Sequence, residues 1–84
     1  MTKKEILLEL EGYLRGLNFR VIYDDIEGEG GFCELKGKPY IILNRRLPNE
    51  FKIKIIASAL RACVKPTFLP ERIREIIDKW GNER

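Results

Sequence analysis

Apolar residues in the first seventeen positions recur at intervals of three and four. Ile6, Leu7, Leu10, Leu14 and Leu17 share one face of a helix. Thr2 followed by Glu5 has the spacing of a capping box, which places the helix start at Lys3, and Gly16 and Asn18 supply its stop. Gly12 inside that helix costs roughly 1 kcal/mol relative to Ala and predicts a close approach of another segment. The period then changes to two. In "FRVIYDD", Phe19, Val21 and Tyr23 alternate with Arg20, Ile22 and Asp24, the pattern of a strand. A loop, "EGEGG", follows. "FCELKGKPYIIL" then reads as a hairpin turning at Gly37-Lys38, with Gly first as a type II′ turn requires. That turn would pair Leu35 with Tyr40 and Cys33 with Ile42 on one face, leaving Phe32, Ile41 and Leu43 on the other.

Leu47-Pro48 opens a second helix that runs to about Val64 and is stopped by Pro66. Pro70 opens a third, with Ile73, Ile76, Ile77 and Trp80 in one stripe and Gly81 at its end. The order α-β-β-β-α-α predicts an α+β fold: a three-stranded, largely antiparallel sheet packed by helices, with residues 1–84 forming one domain. A chain of this length has room for one core and buries about 60–65% of its unfolded surface. With 44% apolar residues, closure by packing alone is expected.

Composition adds exclusions. No apolar run approaches the ~20 residues of a membrane span and the N-terminus lacks an apolar signal segment, so a cytoplasmic protein is expected. The chain has 35% charged residues, eleven Ile, one Met and neither His nor Gln, a composition resembling that of heat-adapted proteins. Cys33 and Cys63 read as two small buried hydrophobes rather than a disulfide. Either cysteine as a nucleophile would lack a histidine base. Asp24, Asp25, Glu27 and Glu29 cluster in one loop, but their spacing misses the calcium-loop pattern and reads as a solvated turn.

The net charge of +3 is unevenly distributed. Residues 1–34 carry four basic and eight acidic side chains, whereas residues 35–65 carry eight basic ones against Glu50 alone. Lys54, Ser58, Arg61 and Lys65 follow at i, i+4, i+7 and i+11, and Arg45 and Arg46 stand just upstream. This segment could meet nucleic-acid phosphates or a protein partner, or form a solvated helix face. Phe32, Ile41 and Leu43 form a candidate self-association patch unless the third helix covers them. No cofactor-binding signature is present.

"YIILNRRLPNEFKIKIIASALRA" resembles the core of the ImmA/IrrE-type metallopeptidases, in which a strand ending in Asn leads into a helix bearing H-E-x-x-H. The upstream "LNFRVIYDDIEGEGGFCELKGKP" is similar to that family's strand, loop and hairpin, so the likeness spans roughly residues 3–64. It implies a minimal zincin-like scaffold. Carried over position by position, the first zinc ligand falls on Ser58, the general base on Ala59 and the second ligand on Ala62. None of these can do that work. Zinc takes imidazole, thiolate or carboxylate donors, and water activation needs a carboxylate. The chain is also similar to small bacterial proteins sharing "GG-x-C…LKGK…ILNRRLP", a resemblance that implies no activity. The expectation is a non-catalytic interaction module without metal or cofactor, whose partner is another protein or a second copy. The alternative is a nucleic-acid-binding module using residues 36–65.

Overall fold

Helix α1 (Lys3–Gly16) begins where the chain says it should. In the computed structural model, which describes residues 2–81, the Thr2 hydroxyl accepts from the Glu5 amide at 3.1 Å and the Glu5 carboxylate accepts from the Thr2 amide at 2.9 Å. Asn18, at φ 66°, turns the chain out of the helix, a left-handed conformation that Asn tolerates well. Three strands follow: β1 (Arg20–Asp24), β2 (Gly30–Leu35) and β3 (Lys38–Asn44). Helix α2 (Asn49–Cys63), one 3₁₀ turn at Pro66–Phe68 and α3 (Glu71–Trp80) complete the expected order. No helix among the described residues is long and apolar enough to cross a membrane.

The sheet has the order β1-β3-β2 and is mixed. β2 and β3 form the antiparallel hairpin, and β1 joins the far side of β3 in parallel. The hairpin turns one residue earlier than the Gly37-Lys38 reading predicts. Lys36 and Gly37 are the two turn residues, with φ of 52° and 80°, as a type I′ turn requires. The register therefore moves by two: Cys33 faces Tyr40, Phe32 faces Ile41 and Leu35 faces Lys38. An even shift keeps every side chain on its expected face.

All three helices lie on one side of this sheet. α1 packs against β1 and α2, α2 lies over β2 and β3, and α3 packs against α2. The side they cover is the one carrying Val21, Tyr23, Ile41 and Leu43. Ile41 and Leu43 are completely buried, together with Leu10, Leu14, Ile53, Ile56 and Leu60. Each such side chain contributes roughly 1.5–3 kcal/mol by leaving water. Polar ties join the helices outside this core: Arg72 meets the Glu9 carboxylate at 3.1 and 3.2 Å, and Lys3 meets Glu50 at 3.3 Å.

Two expectations need correction. Ile41 and Leu43 cannot form a self-association patch, because α1 and α2 bury that face; the third helix is spent on α2. Gly12 meets nothing within 4 Å of where a Cβ would sit, so close packing does not explain it. Gly30 and Gly81 are the glycines with a steric reason, and at Gly81 a Cβ would crowd the Ile77 carbonyl oxygen at 2.8 Å; Gly30 is the tighter case. Its φ is 102°, and a Cβ there would overlap the carbonyl oxygen of Ile42 on the neighbouring strand.

Candidate functional site

Among the described residues the outer edge of β2 is unpaired, since β2 ends the sheet. The two-residue turn makes Leu35–Lys38 the first hydrogen-bonded pair, so Cys33 and Gly31 also bond to β3. The peptide groups of Gly30, Phe32 and Glu34 consequently point away from the sheet. Asn44 fixes the start of this strand. Its side-chain amide donates to the carbonyls of Ile26 at 3.1 Å and Gly28 at 2.9 Å, and its side-chain oxygen accepts from the Arg46 amide at 2.9 Å. The acidic loop is thereby clamped to the end of β3.

Beside that free edge runs α2. The two enclose an open groove of about 480 Å³, walled by Phe32 and Glu29 on one side and by Phe51, Lys54, Ile55 and Ser58 on the other. The α2 residues fall at i, i+3, i+4 and i+7, one stripe along the helix. Phe32 and Phe51 are 43% and 42% exposed, an unusual state for two large aromatics on the walls of one groove. Phe32 is braced by Phe19, ring centroids 6.0 Å apart, and Lys54 lies over the Phe51 ring at 5.4 Å. The groove thus combines a backbone ladder without a partner, two aromatic surfaces and one charge of each sign.

The cations singled out from the sequence do not converge on one site. Lys54 lines the groove but is paired with Glu50 at 3.8 Å. Arg45 donates to the Tyr23 carbonyl at 3.1 Å, and Arg46 lies 4.0 Å from Asp25, both at the sheet end nearest the start of α2. Arg61 donates to the Gly81 carbonyl at 3.4 Å on the α3 side, and Lys65 lies beyond the end of α2. Arg45 and Arg46 precede α2 whereas Arg61 and Lys65 sit near and beyond its end, so the helix puts roughly 20 Å between the two sets, with Lys54 between them.

Of the three positions that the peptidase resemblance assigns to zinc chemistry, Ser58 and Ala59 line the groove, and Ala62 is exposed one turn further on. Among the described residues no group of three or more His, Cys, Asp or Glu side chains is placed to hold a metal ion. Both cysteines are free. Cys63 is an exposed residue, not the buried one expected, yet partial desolvation of its thiol, reinforced by the Glu34 carboxylate, pushes its pKa up. A nucleophilic cysteine needs the opposite shift.

Comparisons with known protein families, with curated proteins and with solved structures found no match, so the groove stands on its geometry alone. Sequence reading named Lys54 and Phe32 but not Phe51 or Ile55. Phe51 had a signal: a large aromatic three residues after Pro48, outside the Ile53-Ile56-Leu60 stripe that faces the core.

Proposed function

We propose that the protein is a non-catalytic interaction module that binds an extended segment of a partner protein along the outer edge of β2. The segment would add as a fourth strand, bonding to the outward peptide groups of Gly30, Phe32 and Glu34. Alternate side chains would then enter the groove between Phe32 and Phe51. Strand addition of this kind takes its affinity from main-chain hydrogen bonds and its specificity from pockets for every second side chain. The observation that carries the reading is the coincidence of an unpaired strand edge with two half-exposed phenylalanines on the walls of one groove.

The residues facing the groove support binding without chemistry. They include no imidazole or thiol. If the likeness to the ImmA/IrrE-type core reflects a shared scaffold, Ser58 and Ala59 stand where that scaffold keeps its reacting groups. The spread of Lys54, Arg61, Lys65, Arg45 and Arg46 over two ends of the molecule favours a protein partner over a nucleic acid.

Selection from an unbiased library of twelve-residue peptides tests this reading. It predicts enrichment of sequences with alternating apolar residues. Phe51→Asp should weaken their binding at least ~10-fold, the loss expected of a buried aromatic anchor. Ile22→Asp, remote from the groove, should leave it unchanged. Failure to enrich, or equal binding to both variants, would reject the groove as the site.

A further inference from the structure

Among the described residues, no element covers the side of the sheet opposite the helices. By register it carries Ile22, Ile42, Tyr40, Cys33 and Leu35, with Arg20 and Asp24 at the two ends of β1. Ile22 is 37% and Leu35 56% exposed, and Ile42 and Tyr40 are half-buried. Gly31, beside Ile42, leaves the face flat there. The ends differ in charge. Arg20 and Lys38 belong to one end, and Asp24 to the other. Asp25, Glu27 and Glu29 on the adjoining loop outnumber Arg45 and Arg46.

We infer that this face pairs with the same face of a second copy, about a two-fold axis lying between the sheets and perpendicular to the strands. Only that orientation reverses one sheet end for end. Ile42 then meets Ile42 and Ile22 meets Ile22 at the axis, while Arg20 of each copy lies over Asp24 of the other, twice. The other face-to-face two-fold, along the strands, stacks Lys38 on Lys38 and puts Asp24 over the acidic loop. Charge therefore selects the first. Lys38 then falls opposite the turn after β3, where Arg46 is already engaged with Asp25.

The size of the face sets the strength. Five to seven residues rising about 3.3 Å each, on three strands about 4.8 Å apart, make a face on the order of 300 Å². A stable interface takes ~800 Å² per partner, so this pairing is weak, with a dissociation constant of roughly 10–1000 µM. It leaves the outer edge of β2 free in both copies and does not depend on the groove being occupied.

Sedimentation equilibrium up to 1 mM protein, on the whole chain, tests the inference. The wild type should dimerise. Arg20→Asp and Asp24→Arg should each weaken the dimer by about 5-fold or more, because like charges then face each other twice. An equimolar mixture of the two single variants should recover wild-type association, since every new charge then meets its opposite, and the double variant should recover it alone. Melting curves establish that each variant folds. A monomer at 1 mM, single variants that dimerise as well as the wild type, or a mixture that associates no better than its components would each overturn it.

Discussion

Ile41 and Ile42 are neighbours in one strand, identical in chemistry, and they end in different surroundings. Ile41 points under the helices and loses all contact with water, and Leu43 does the same two residues on. Ile42 points the other way, onto a face that also holds Ile22, Tyr40 and Leu35 and that no described element covers. The outer edge of β2 is uncovered as well, because α2 runs beside it without closing it. The contrast teaches that apolar character alone does not say which surfaces serve stability. Helices α1 and α2 have one side of the sheet to cover, and both lie on it. The apolar side chains left over sit where a partner can reach them.

The largest expected difference lies between the two faces themselves. Leu43→Ala should destabilise the protein by about 3 kcal/mol, the transfer cost of a buried Leu plus the cavity it leaves. Ile42→Ala, on the open face, should cost about 1 kcal/mol or less in the monomer. Urea unfolding at low micromolar concentration measures both. Equal losses would mean that something covers the second face.

Gly30 lies at the margin of the open edge, and its replacement comes next in size. Gly30→Ala meets both a left-handed φ and the Ile42 carbonyl, so a loss of roughly 2–3 kcal/mol is expected, with the hairpin distorted at its start. Gly12→Ala, in open space on α1, should instead stabilise by up to about 1 kcal/mol. A Gly30→Ala variant as stable as the wild type would show that β2 does not lie against β3 as described.

The smallest effect belongs to Glu11, on the α1 side of the covered face. Partial burial raises its carboxyl pKa, and the nearby charges of Arg15 and Lys52 offset this only in part. An acid whose pKa is raised on folding weakens the fold when ionised, and the penalty disappears as pH falls through its folded pKa. Glu11→Gln should therefore be slightly more stable than the wild type at pH 7 and indistinguishable from it near pH 3. A variant less stable at pH 7 would reverse the sign.

Much of the fold was legible in the chain. The capping box, the helical stripes and the Pro boundaries placed α1, α2 and α3 closely, and alternation placed the strands. The rest was not. Alternation says which residues share a face but not which face is covered: Phe32, Ile41 and Leu43 are no more apolar than Cys33, Leu35, Tyr40 and Ile42. Nor does it say which strands are neighbours, so the parallel union of β1 with β3 was invisible. The turn was misplaced because Gly37 can serve either as first residue of a type II′ turn or as second residue of a type I′ turn, with Lys36 tolerating the positive φ. The groove was the least legible feature, since it exists only once α2 is laid beside an edge that the strand order leaves free.

Amide hydrogen exchange at Gly30, Phe32 and Glu34 tests the central claim most directly, because these groups would bond to an added strand and to nothing else. With a groove-selected peptide at saturation, exchange at these three amides should slow by about 10-fold or more, while the inward amides of Gly31, Cys33 and Leu35, already bonded to β3, change much less. Binding of the peptide with no slowing at the three outward amides would contradict strand addition.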